Sequence, residues 1–205
     1  MDFVDFKHRF VFVHIPKMGG TSISYALKAL GAENSITGAE NGSARKKGHN
    51  GLKGLEREFG ERLNGMFKFC VVRNPLEWGV SLYHHFGSLN PTRRLRKVAH
   101  DVSNYKEFLR AVKASPGLRR RVKEQLWYAS GLDDRPHMDL IIRFDNLQAG
   151  FDEAMSTIGM GTMRLPFKNA SRPRPSYQSF YDAEATELFK GLFRHDVRGW
   201  WLPQD

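Results

Sequence analysis

An α/β fold, a single domain with a central, mainly parallel sheet flanked by helices, is what this sequence predicts, on three observations. Short β-branched and aromatic runs alternate with longer segments of helical periodicity, the pattern of successive strand–helix units. The runs are apolar throughout and bounded by proline, glycine or asparagine, so they read as short buried strands. The chain has 205 residues, 40% hydrophobic and 12% aromatic, which is enough for one substantial core and excludes a disordered tail protein.

The elements follow in order. Residues 9–15, RFVFVHI, form the first strand, closed by Pro16. Ile23, Ala26, Leu27 and Leu30 then fall on one helical face between Thr21 and Leu30, and Gly31 is a natural stop. Residues 32–50 are polar and Gly-rich and read as a loop, and 51–62 as a short helix. The second strand is 66–73, MFKFCVVR. Asn74-Pro75-Leu76-Glu77 then has the signature of a helix start: an N-cap, a proline at the first position and a glutamate to complete a capping box.

Tyr105, Phe108, Leu109 and Val112 mark one further helix, and Leu118, Val122, Leu126 and Ala129 a second continuous stripe. The third strand is 138–144, followed by a second capping box at Asp145–Gln148 and a helix through Phe151, Met155 and Ile158. Residues 160–181 are irregular and contain three prolines. Ala185, Leu188, Phe189, Leu192 and Phe193 line the last helix.

Composition narrows the function. The lone Cys70 excludes a disulfide scaffold and a Cys-cluster zinc site and reads as a small core residue. No apolar run approaches the roughly 20 residues that cross a bilayer, and MDFVDFKHRF lacks a signal pattern, so a cytoplasmic location is expected. The net charge is +10, and residues 91–123 hold eleven basic and two acidic side chains. That local field suits an anionic partner; a solvated helical face explains it equally.

The most informative stretch is VFVHIPKMGGTS at 11–22. A buried strand runs into Lys17, then Gly19, Gly20, Thr21 and Ser22 at a helix start. Glycine backbone, helix N–H donors, a full positive charge and two hydroxyls together make a cradle for phosphate or sulfate. It is not the ATP-binding loop, in which Lys follows the last Gly. A second constellation, FCVVRNPLEWGVSLY at 69–83, sets Arg73 at a strand end and Ser81 two helical turns on, suited to pinching a second phosphate.

The two stretches together resemble the paired nucleotide motifs of the sulfotransferases that use 3′-phosphoadenosine 5′-phosphosulfate (PAPS), in the branch holding carbohydrate 2-O-type and bacterial enzymes. The family motif HIPKTGGTS stands here as HIPKMGGTS, and R-x-P-x-x-R-x-x-S-x-Y as RNPLEWGVSLY. The resemblance implies a P-loop NTPase-like sulfotransferase fold over 1–205. It implies that Lys17, Gly19, Gly20, Thr21 and Ser22 hold the 5′-phosphosulfate, and Arg73 and Ser81 the 3′-phosphate. RKKGHNGL at 45–52 is similar to the family's Gly-His element, which makes His49 the catalytic base beside Lys17. IIRFDNLQAGF and LPFKNAS are similar to its C-terminal strand, helix and cofactor-side loop, and Lys168 in the latter becomes a further cofactor contact. The basic helical segment 91–130 becomes an acceptor-side insertion.

Three positions depart from the pattern: Met18 replaces Thr, Trp78 replaces Arg, and the Gly-His element lacks its aromatic follower. His14, His84, His85 and Glu40 are the competing bases, and Trp200-Trp201 the cover of a core edge. Sulfuryl transfer by such residues needs positioning and charge stabilisation and no metal. The acceptor is then a glycan or small metabolite, acidic if the basic segment lines its cleft, and nucleic acid is not expected. A magnesium-dependent small-molecule kinase and a non-enzymatic module for polyanions or nucleic acid are the rival readings.

Overall fold

A computed structural model describes residues 1–36, 49–87, 104–166 and 175–199. Its contacts group into two compact units, one of residues 1–72 and 125–170, the other of residues 73–124 and 171–205.

The first unit holds a four-stranded sheet of β1 (Phe3–Asp5), β2 (Phe10–Val13), β3 (Phe67–Val72) and β4 (Leu140–Arg143), in that spatial order. β1 pairs antiparallel with β2, Val4 opposite Val11. β2–β3 and β3–β4 are parallel, with Phe12 opposite Phe69 and Cys70 opposite Ile141. The mainly parallel sheet is therefore present, with one antiparallel strand added at its edge. β1 has no counterpart in the sequence reading, because three residues are too few to show a period.

Every residue of β2 is buried, and its phenylalanines interleave with those of β1 and β3: Phe12 lies 5.1 Å from Phe69 and Phe3 5.8 Å from Phe10, ring centre to ring centre. Cys70 is fully buried here, and burial pushes its thiol pKa up, as expected of an inert core residue. Helices accompany the sheet, among them α1 (Gly20–Ala29), burying Ile23, Ala26 and Leu27; α2 (Gly51–Phe59), burying Leu52, Leu55 and Phe59; and, late in the unit, Leu147–Ile158.

The second unit is helical and aromatic. α3 (Pro75–Gly87) and α4 (Tyr105–Ala114) are followed by α5 (Pro116–Arg121). Asn74 caps α3 as expected, its side-chain oxygen accepting from the Leu76 N–H at 3.0 Å. Glu77 is taken instead by Arg73, an ion pair across one turn, so the expected box is not its role. Trp78 is 1% exposed and packs edge-on against Phe193. The Tyr105 hydroxyl meets that of Tyr181 at 2.6 Å, and the Tyr181 O–H donates to the Leu76 carbonyl at 2.8 Å, which ties α3 and α4 to residue 181.

The stripe expected from Leu118 to Ala129 is not one helix. α5 stops at Arg121, Val122 leaves helical geometry, and α6 (Gln125–Ala129) begins in the other unit. Glu124 lies in the break, where its carboxylate accepts the His195 and Asp196 N–H groups.

α7 (Leu147–Ile158) also starts later than expected. Asn146 occupies the N-cap without a side-chain bond, Asp145 pairs with Arg143 at 3.2 Å, and Gln148 accepts from the Leu165 N–H. The second capping box therefore does not form, because both of its members have other partners. α8 (Ala183–Leu192) and α9 (Arg194–Gly199) follow, with Ala185, Phe189, Leu192 and Phe193 buried as the spacing predicts and Leu188 half-buried.

Candidate active site

The cradle forms where β2 gives way to α1, at the carboxyl end of a parallel strand, where ligands of open α/β sheets bind. Lys17 stands at φ 70 and Gly19 at φ 69, both left-handed. For Lys17 that conformation costs about 1–2 kcal/mol. Gly19 is the N-cap of α1, its carbonyl accepting from the Ser22 N–H at 2.9 Å, and the first turn of the helix carries no acidic side chain. The leading N–H groups of α1 thus face the end of a ten-residue helix with Lys17 two residues before its cap, a donor set chemically matched to an anion. Thr21 is exposed and Ser22 buried.

The glycines are required by packing as well as by ligand approach. A Cβ on Gly19 would lie 3.0 Å from Leu147 and 3.3 Å from Phe144, and one on Gly20 2.2 Å from the His14 ring. Met18 is buried at 1%, so the departure from Thr puts an apolar side chain into the core without touching the donor set.

His14 ends the strand and is buried at 8% exposure. Burial, with the neighbouring Met1 amino group and His49, drives its pKa down to about 2. A ring held neutral so far below physiological pH is poorly suited to take and release a proton. His49 stands edge-on to it, ring centres 4.5 Å apart, and its Nδ1 lies 2.8 Å from the His14 carbonyl oxygen. A carbonyl only accepts, so Nδ1 carries the proton and donates, and the neutral ring has its lone pair on Nε2. His49 itself is solvent-exposed. The structure therefore brings together Lys17, Gly19, Gly20, Thr21, Ser22, His14 and His49 in the first unit.

Arg73 and Ser81 belong to the second unit, at the head and middle of α3. The Arg73 side chain is 17% exposed and paired with Glu77; Ser81 is 8% exposed. Trp78 is a core side chain, which explains why the family's arginine can be absent there without exposing a hydrophobe. His84 and His85 pack among aromatic rings, His84 against Phe180 at 5.5 Å. Glu40, Arg93, Arg94, Lys168, Trp200 and Trp201 lie outside the described residues.

Part of the basic segment is structural. Lys106 pairs with Asp182, and Arg110 with Glu107 and Glu184. Arg119 donates to the Val122 and Leu192 carbonyls at 3.0 and 2.6 Å and lies over the Phe193 ring. Lys113, Arg120 and Arg121 are exposed.

A family model described as the sulfotransferase family matches residues 2–197. The chain belongs to the sulfotransferase family. It is also 37% identical over 86 residues to a carbohydrate sulfotransferase 10 from Xenopus laevis. That alignment takes in 40% of this chain and 24% of the relative, so the chain spans only part of what it matches. No solved structure matches it significantly. Among the described residues of this sulfotransferase-family chain, no helix is long and apolar enough to cross a membrane.

The signal for Lys17 and the glycines lay in the order of residue types after a strand. The His14 carbonyl and the buried Asp2 carboxylate were missed. The first is a backbone group, and the second is one polar residue just before a strand too short to recognise.

Proposed function

We propose that this protein transfers a sulfuryl group from PAPS to a carbohydrate hydroxyl, with His49 as general base. The observation that supports this most directly is the Nδ1–H of His49 fixed on the carbonyl of His14, the residue from which the cradle loop departs. When bound, PAPS supplies an activated sulfuryl group on a phosphate leaving group. Lys17 and the first N–H groups of α1 hold the 5′ side and stabilise the charge that grows there as the S–O bond breaks. By the family resemblance, Arg73, Ser81 and Lys168 serve the nucleotide side. His49 Nε2 takes the proton of the attacking hydroxyl.

Family membership and the carbohydrate sulfotransferase relative favour this over a kinase or a polyanion-binding module. Thermal shift tests it. Adenosine 3′,5′-bisphosphate (PAP) raises the melting temperature and magnesium ATP does not. Transfer of labelled sulfate from PAPS to desulfated glycan oligosaccharides then establishes the acceptor class. A shift with magnesium ATP alone would return the kinase reading.

A further inference from the structure

The same end of the sheet contains a buried carboxylate that the transfer chemistry does not use. Asp2 is 1% exposed. Its Oδ1 accepts from the His14 N–H at 2.8 Å and its Oδ2 from the Asn50 N–H at 2.8 Å, with the Gly51 N–H contributing as well. The two peptide groups flanking the His14 Cα are thus both held: the N–H of one by Asp2 and the carbonyl of the next by the His49 ring. The chain immediately after His49 is held by Asp2 again.

We propose that Asp2 is the positioning residue of the base: its carboxylate bridges the strand leading into the cradle and the backbone that follows His49, and so fixes where Nε2 points. This rests on the reading of His49 as base.

The energetics support a role beyond folding. A carboxylate withdrawn from water is costly to keep ionised, and here burial raises the pKa to about 6 despite three N–H donors. A neutral side chain of similar shape would be the less demanding filler. It would, however, offer one acceptor where the ionised group offers two oxygens to three donors. The titratable groups around Asp2 among the described residues are the Met1 amino group, His14, His49 and Tyr128, with Lys28 acting on that amine.

The test compares wild type, Asp2→Asn, Asp2→Glu and His49→Ala, with 15N-labelled histidine spectra as the readout that does not depend on turnover. In wild type at pH 8, His49 shows protonated Nδ1 and unprotonated Nε2. In Asp2→Asn that signature gives way to mixed tautomers, and kcat for transfer to desulfated glycan oligosaccharides falls ten-fold or more. The dissociation constant for PAP stays within about three-fold. Asp2→Glu, which keeps the charge, recovers part of kcat. His49 in the Nε2–H tautomer in wild type would overturn the proposal without any variant having to fold. So would an Asp2→Asn protein with unchanged tautomer and kcat beside an inactive His49→Ala, which would leave the base reading standing. A fully active His49→Ala would instead remove the base reading itself.

Discussion

Replacing Gly20 by alanine tests the packing of the cradle most directly. The added Cβ would sit 2.2 Å from Cδ2 and Nε2 of His14, more than an ångström short of ordinary contact. The ring has little room to retreat, because it is buried, stacked 5.8 Å from Phe12 and edge-on to His49. Forcing a methyl into such a site costs about 1–3 kcal/mol. The better helix propensity of alanine returns at most about 1 kcal/mol. A net loss of about 1–2 kcal/mol corresponds to a fall of roughly 2–8 °C in melting temperature for a chain of this size. If α1 shifts to relieve the contact, its leading N–H groups move with it, and PAP affinity falls as well. Thermal unfolding and calorimetry with PAP read both effects. The decisive comparison is His14→Ala/Gly20→Ala: with the ring gone, the glycine substitution should cost less than about 1 kcal/mol. A cost in the double variant as large as in the single would refute the reasoning, since the ring would not be what excludes the methyl.

Three further outcomes are expected. Lys17→Gly, which removes the charge but suits φ 70, keeps a melting temperature within a few degrees of wild type and abolishes sulfuryl transfer; turnover near wild type would remove Lys17 from the site. Arg73→Ala and Ser81→Ala weaken nucleotide binding by roughly 1.5–3 and about 1 kcal/mol, for nucleotides bearing a 3′-phosphate and not for those lacking it, by calorimetry; equal losses for both kinds would deny them that contact. Asp2 and His14 oppose each other in acid. Folded Asp2, raised to about 6, binds its proton before the unfolded chain does and gains stability as pH falls from about 6 to 4, whereas His14, lowered to about 2, loses it from about 6.5 downward. Asp2→Asn should therefore show a steeper loss of stability between pH 6.5 and 4 than wild type in denaturant titrations, and an unchanged slope would contradict the raised Asp2 value.

The sequence was most legible where residue order runs along one strand and its turn. Lys17 through Ser22 occupy the turn and helix start that the residue types predict, because a strand, a turn and a helix start form one local unit. The buried faces of α4 and α8 follow from spacing for the same reason. The capping boxes were not legible, because Glu77 and Asp145 each have an arginine within reach, and periodicity says nothing of which partner a carboxylate takes. The break at Val122–Glu124 was hidden too. The apolar spacing runs through it, while the reason for the break, N–H donors at His195 and Asp196, comes from far along the chain. Arg119 looked like surface charge by composition and is committed to two carbonyls by tertiary structure.

The register of the sheet also sets an order of assembly during synthesis. β1 and β2 form a hairpin, Phe3 opposite Phe12, and pair across a short turn without waiting for chain that follows. Phe10 must wait for Phe67, and Phe69 for Leu140, before the parallel ladders close. Parallel, long-range pairing of this kind is slow and leaves unpaired strand edges exposed while it waits. The link between Asp2 and the His14 N–H lies inside the early hairpin, whereas the link from Asp2 to Asn50 joins chain that arrives later. A nascent chain stalled before β3 therefore holds one half of the clamp already set, with an open phenylalanine-rich strand beside it for chaperones to shield.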